Sequence, residues 1–383
     1  MGCQACRQSE PETTFHLEPD IKSLDPQNQL NSGKKEDYNN FILKFENKLP
    51  TLGNYFGSDF NTLISPKIQN YITEHPLSIS EELLKNSQSY EIDAVEFTNG
   101  NVYQGGWSSD LKMEGQGKYF LKEDKVLAEG IWKEGNLIYA RVFIIKEDDL
   151  FDIYEGTIRY STFNGKGKQI FSNGMIYEGD FEDGERNGNG KIIFKDGTIY
   201  EGQIEKGELK GKGKMVWKNG YEYEGGFNSN KFNGNGVLKG PSGDKYEGDF
   251  TNNLFHGNGK YIYSNGNSYE GQFLYGVKKG KGVYKCVNLY EYDGDWDNDL
   301  PSGVGKLSTW NKNGIIKSSW RAGKIMELPL YEKGTKDDFE GIDFNFLIDI
   351  ILVNIKTLSN LDNTQVVQTT QYKLATGASF LDE

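Results

Sequence analysis

Residues 177–199 read Tyr-Glu-Gly-Asp-Phe-Glu-Asp-Gly-Glu-Arg-Asn-Gly-Asn-Gly-Lys-Ile-Ile-Phe-Lys-Asp-Gly-Thr-Ile, and Tyr200 starts the phrase again. Tyr154, Tyr177, Tyr200, Tyr223, Tyr246, Tyr269 and Tyr292 follow one another at intervals of 23 residues. Self-similarity at a fixed period marks a repeat architecture, in which each copy buries its apolar face only against its neighbours. Tyr177, Gly179 and Phe181 share one face of a strand because side chains alternate along it. Ile192 and Phe194 share a face of a second strand in the same way. Asp196-Gly197, Asn219-Gly220 and Asn265-Gly266 suit turns that need positive φ. Each copy therefore predicts a β-hairpin.

Working outward, Tyr103-Gln104-Gly105 with Trp107 opens an upstream copy, and worn copies sit at Glu129-Gly130-Ile131-Trp132 and Ser319-Trp320-Arg321-Ala322-Gly323. A lone hairpin is marginal in water, so the copies must pair side by side. Ten hairpins predict about 20 strands and, at ~4.8 Å per strand, a sheet roughly 95 Å long. Glycine in mid-strand is costly, and its recurrence two residues after each tyrosine predicts a ring from the neighbouring copy lying over bare backbone. The fold class expected is mainly β, an elongated single-layer antiparallel sheet of tandem hairpins, with short helices in the N-terminal flank and an apolar helix in the C-terminal flank.

The phrase Tyr-x-Gly-x-(Phe/Trp) followed by Gly-x-Gly on a 23-residue period resembles the MORN (membrane occupation and recognition nexus) repeat, over residues 101–326. The resemblance implies an aromatic-lined groove and a non-catalytic scaffold or interaction role, often at membranes, cytoskeleton or cilia. On that reading a protein partner, for instance a helix, would meet Tyr177, Phe181, Tyr200, Tyr223, Phe227, Tyr246, Phe250, Tyr269, Phe273, Tyr292 and Trp296. Aromatic side chains enrich interfaces because they bury much area at low entropic cost.

The chain opens Met1-Gly2-Cys3-Gln4-Ala5-Cys6. Gly2 is placed for myristoylation after Met removal, with Cys6 where the pattern usually has Ser or Thr. A single myristoyl chain binds membranes only marginally, so a second signal is needed. Charge does not supply it, because residues 1–40 hold four Lys+Arg and seven Asp+Glu. Palmitoylation of Cys3 and Cys6 would. The competing readings are an unmodified tip and a Cys-x-x-Cys metal or redox motif, the latter lacking a second Cys pair. Three cysteines make no disulfide framework.

Residues 1–33 are expected to be anchor and flexible linker, 34–100 a helical cap, 101–326 the repeat array, 327–358 an apolar segment packed on the sheet, and 359–383 a disordered tail. Helical spacing appears at Tyr38, Phe41, Ile42, Phe45 and Leu49, and again at Leu63, Ile64, Ile68, Tyr71 and Ile72 around Pro66. Ser78 and Glu81 form a capping-box pattern. Such helices are expected to cover the exposed edge of the first hairpin. The run 344–355, preceded by Asp343 and interrupted by Asp349 and Asn354, is too short and too polar to span a bilayer.

The formal charge is −13, yet residues 101–326 carry 31 Lys+Arg and 31 Asp+Glu, so the excess lies in the flanks. No basic footprint for nucleic acid exists. His16, His75 and His256 are scattered without metal or triad spacing, and no Gly-Lys is followed by Ser or Thr, so there is no Walker A loop. Glu178, Glu201, Glu224, Glu247 and Glu270 recur one residue after the tyrosine, facing away from the rings. Cys286 takes the slot held elsewhere by Phe171, Phe194, Trp217 and Tyr263, as a packing residue. The sequence implies no enzyme activity, no cofactor, no metal and no small-molecule substrate. Three functional expectations follow: a scaffold tethered to the cytoplasmic face of a membrane, a structural component of a ciliary or cytoskeletal assembly, and an anionic-phospholipid-binding module. A regulatory subunit for an enzyme on another chain is a further alternative.

Overall fold

A computed structural model describes residues 60–80, 83, 89–309, 311, 314–326 and 330–333. The fold is mainly β: 22 strands are joined as antiparallel hairpins, with one α-helix among the described residues. The lipidation candidates Gly2, Cys3 and Cys6, the 35–49 helix, Glu81 and the apolar run 344–355 lie outside the described residues. The described chain divides into two compact units, one running to Lys218 with Phe227–Asn230 added, the other comprising Asn219–Gly226 and Lys231 onward.

The hairpin Ile176–Glu182/Glu185–Ile193 shows how one copy is built. Tyr177 lies opposite Ile192 and Gly179 opposite Gly190; a bulge follows, and Phe181 then faces Arg186. The bulge is capped by Asp180, whose Oδ2 accepts the Asn189 N–H at 2.9 Å. The next strand, Ile199–Glu205, places Tyr200 between Ile192 of the preceding copy and Met215 of its own. Every copy thus uses both strand edges.

Two turn types alternate. The Asp-Gly and Asn-Gly pairs expected at positive φ do carry it at Gly197 (91°), Gly220 (89°) and Gly266 (87°). A tighter two-residue turn lies six residues after each tyrosine, with both residues left-handed. It is Asp183-Gly184 in one copy, Lys206-Gly207, Ser229-Asn230, Asn252-Asn253, Tyr275-Gly276 and Asn298-Asp299 in others. Paired positive φ values match the twist that a two-residue hairpin requires.

The sheet extends past the expected boundaries. Tyr90–Glu96, inside the stretch expected to be a helical cap, is a strand paired with Val102–Trp107. Leu330–Lys333, inside the C-terminal apolar segment, pairs with Ile315–Arg321. The helix Pro66–Glu74 falls where the spacing around Pro66 placed it. Ser65 caps it, its Oγ accepting the Ile68 N–H at 3.5 Å, and Pro66 occupies the first turn, where a missing N–H costs nothing.

That helix covers a face of the sheet, not its edge, which corrects the expectation from sequence. Phe60, Ile64 and Ile68 pack with Ala94, Val102, Leu127, Phe143 and Ile153. The strand Val126–Lys133 beneath is consequently buried on both faces.

Candidate functional site

The eleven rings expected to meet a partner are all buried, at 0–5% exposure. Their burial is mutual. Phe181 stands edge-on between Tyr154 (5.0 Å) and Tyr177 (5.1 Å). Phe250 stands in the same way between Tyr223 and Tyr246, Phe273 between Tyr246 and Tyr269, and Trp296 between Tyr269 and Tyr292. Phe227 meets Tyr200 at 5.1 Å. Edge-to-face rings at this spacing stabilise beyond the area they bury. These rings are the core of the sheet and leave almost no surface for a partner.

Each repeat tyrosine also closes on its own copy. Tyr177 Oη donates to the Asp180 carbonyl at 2.7 Å and Tyr200 Oη to that of Gln203 at 2.7 Å; Tyr223, Tyr246, Tyr269 and Tyr292 do the same three residues on. The ring lies over the facing glycine pair of that copy. A Cβ on Gly190 would sit 2.3 Å from a Tyr177 ring carbon, and one on Gly179 would sit 2.5 Å from Tyr177 Oη. The ring over the glycine therefore comes from the same copy, not from the neighbour. Desolvation raises the pKa of all these phenols well above the usual tyrosine value.

The opposite face is less enclosed. Strand register brings Val102, Phe120, Leu127, Phe143, Ile153, Ile170, Ile176, Ile193, Ile199 and Val216 into one row, each directly opposite the next. The helix Pro66–Glu74 covers the first part of this row, and Ile170 packs at its margin. Ile176, Ile193, Ile199 and Val216 continue the row half-buried. In the other unit the same register holds Lys239, Lys245, Ile262, Ser268, Lys285, Glu291 and Ser308, so the row there is mostly polar.

Beside the apolar row runs a row of alternating charge: Lys118, Glu129, Arg141, Glu155, Lys168, Glu178, Lys191, Glu201 and Lys214. The glutamates one residue after each tyrosine belong here. Lys191 Nζ lies 2.6 Å from Glu201, both exposed. Near the helix the row is buried. Arg141 pairs with Glu129 at 3.2 Å and with Glu155 at 2.9 Å, and its Nη1 donates to the His75 carbonyl. His75 is the C-cap residue, so Arg141 satisfies a carbonyl at the helix end that has no helical partner. Sequence reasoning singled out neither row, because each exists only across strands.

Among the described residues no group of three or more His, Cys, Asp or Glu side chains is arranged to hold a metal ion. No helix among them is long and apolar enough to cross a membrane. Cys286 is half-buried.

The MORN-repeat family model matches residues 154–176, 177–199, 200–220, 223–245, 246–268, 269–288 and 292–309. This chain carries seven MORN repeats. They begin at the seven tyrosines that set the period, and they support a repeat-scaffold or binding role. The upstream copies at Tyr103 and Glu129, and the one at Ser319, lie outside the matched segments. No curated protein matches the chain. Among solved structures, the TCP domain of SAS-4 from Drosophila melanogaster, in complex with a proline-rich motif of Ana2, is 11% identical, with a TM-score of 0.27. That match covers 41% of this chain and 84% of that one. A catalytically inactive virginiamycin B lyase from Staphylococcus aureus is 11% identical over 67% of this chain and 88% of that one, with a TM-score of 0.12. No function is carried across from either.

Proposed function

We propose that this chain is a non-catalytic scaffold, held at the cytoplasmic face of a membrane by acyl chains on Gly2, Cys3 and Cys6, that presents its MORN repeats to an amphipathic helix of a protein partner. The observation that carries the reading is the half-buried continuation of the apolar row at Ile176, Ile193, Ile199 and Val216. The same row already holds one helix, Pro66–Glu74, through apolar contacts and an arginine at the helix end. A second helix laid along the row would bury its apolar stripe in the same manner, with Lys168, Glu178, Lys191 and Glu201 alongside to fix its register. The partner contacts move from the eleven rings to this row because the rings have no free surface to give. MORN repeats are generally non-catalytic, which fits the scaffold reading.

The test is cross-linking in the native cell with the full chain and an Ile193→Glu/Ile199→Lys variant. Loss of the cross-linked partners, with the thermal transition of the purified variant kept, supports the reading. Unchanged cross-linking overturns the helix-row assignment. Gly2→Ala should move the protein from the membrane fraction to the cytosol. If it stays in an insoluble assembly instead, the structural-component reading for a ciliary or cytoskeletal structure replaces this one.

A further inference from the structure

Nine residues after each repeat tyrosine, on the aromatic face, the copies differ. The position holds Phe163, Arg186, Leu209, Phe232, Phe255, Lys278 and Pro301. Phe163, Phe232 and Phe255 stack on their tyrosines at 3.8–3.9 Å, so the fold is content with an apolar side chain there. Two copies nevertheless place a cation at it.

The two cations are treated differently by the next tight turn. Lys278 faces Asp299, the second residue of its turn. Asp299 Oδ1 accepts the Lys278 N–H at 2.8 Å and lies 3.7 Å from its Nζ. Asn230 and Asn253 occupy the corresponding place elsewhere and accept the N–H of Leu209 and of Phe232, each at 2.7 Å. Arg186 faces Gly207, which has no side chain to offer. Only the backbone is shared, the Gly207 N–H donating to the Arg186 carbonyl at 2.9 Å. The Arg186 guanidinium lies 5.6 Å over Phe171 and 5.7 Å over Tyr177. Its Nη1 is enclosed and has no hydrogen-bond partner among the described residues. A Cβ built on Gly207 would meet nothing within 4 Å except Arg186 Nη2, at 3.5 Å. At Gly207 no side chain stands where Asp299 stands beside Lys278, and a Cβ there would meet only Arg186 itself.

We propose that Arg186 and the open notch at Gly207 form a recognition site for a carboxylate side chain of an acidic partner segment lying on the aromatic face. The sixth copy supplies the template, since there the chain's own aspartate completes the pair. A guanidinium binds a carboxylate through charge-assisted N–H···O bonds, offered here from Nη2, which faces Gly207, and a sequestered cation with no carboxylate beside it among the described residues is costly to the fold alone. Burial pushes the guanidinium pKa down, as it does for a cation deprived of water. The site lies on the face opposite the apolar row and stands independently of the helix-docking reading, so either can fail alone.

The experiment uses the full chain and a dye-labelled hexaglutamate peptide, read by fluorescence anisotropy, with hexaglutamine as control. Saturable binding of hexaglutamate only is expected, weakened at least tenfold by Arg186→Met and by Gly207→Asp, and kept by Lys278→Met. Gly207→Asp should also raise the melting temperature, because it supplies the missing carboxylate from within. Arg186→Met is expected to fold, since Phe and Leu serve at this position in other copies. Equal binding by wild type and Arg186→Met, or no preference over hexaglutamine, overturns the proposal. Displacement of the peptide by inorganic phosphate at concentrations where acetate does nothing overturns the carboxylate assignment in favour of a phosphate.

Discussion

At each repeat tyrosine three demands meet: the ring must lie flat on glycine backbone, its edge must receive a Phe or Trp, and its hydroxyl must reach a carbonyl three residues on. Tyr200→Phe keeps the ring and strands the Gln203 carbonyl, now bonded at 2.7 Å. A loss of about 1–2 kcal/mol is expected in urea unfolding, the usual cost of an unmet buried polar group. The phenols also set an alkaline limit. Their folded pKa values are raised, so the folded state holds protons that the unfolded chain releases near pH ~10. The stability they confer is whole below that pH and falls as pH rises through it. Phenolate ultraviolet absorbance from these tyrosines should therefore appear together with unfolding; a smooth titration in the folded protein would contradict this. At the tight turns, Asn253 combines a left-handed backbone (φ 67°) with an Oδ1 that accepts the Phe232 N–H. Asn253→Ala forfeits both and should cost about 1–3 kcal/mol, more than Asn253→Gly, which restores the backbone freedom.

Among elements, the decisive contacts run perpendicular to the strands. The second residue of each tight turn donates its N–H to the preceding copy, as Gly184 does to Phe163 and Gly276 to Phe255, both at 2.9 Å. Neighbouring copies are thus joined by turn contacts as well as strand pairing. On the back face, charge alternates from strand to strand. Lys191→Glu would set carboxylates at 178, 191 and 201 in one row and should lower stability by roughly 0.5–1 kcal/mol, less at high salt. The helix Pro66–Glu74 depends on a stronger device. Arg141→Met removes the partner of the His75 carbonyl and leaves Glu129 buried without its counter-charge. Breaking a buried pair in this way costs about 3–5 kcal/mol, and hydrogen exchange across residues 66–74 should accelerate by orders of magnitude.

For the whole molecule, the two faces of the repeat array differ. The aromatic face is spent on stability, apart from the notch at Arg186. The back face of one unit carries an apolar row from Val102 to Val216, and in the other unit the corresponding row is mostly polar, with Lys239 and Lys245 in place of Ile193 and Ile199. On the helix-docking proposal, partner capture belongs to the early repeats. Substituting Ile262, whose row neighbours are Lys245 and Ser268, should leave cross-linked partners unchanged while Ile193→Glu/Ile199→Lys removes them.

The sequence by itself determined the repeat period, the hairpin as unit, the seven MORN copies and a helical stretch around Pro66. Those properties rest on local chemistry: alternation along a strand, glycine where φ is positive, apolar residues at helical spacing. Part of the turn chemistry escaped it, because Lys206, Ser229 and Tyr275 adopt left-handed backbone without a turn signature, held there by the hairpin around them. Only the tertiary structure decided whose ring covers which glycine, that the eleven rings are core, and that the helix lies on a face and not an edge. Only it could align Ile176, Ile193, Ile199 and Val216, or set Asp299 against Lys278 and, among the described residues, no carboxylate against Arg186. Such relations depend on register between strands, and a one-residue shift in register would move every one of these side chains to the other face.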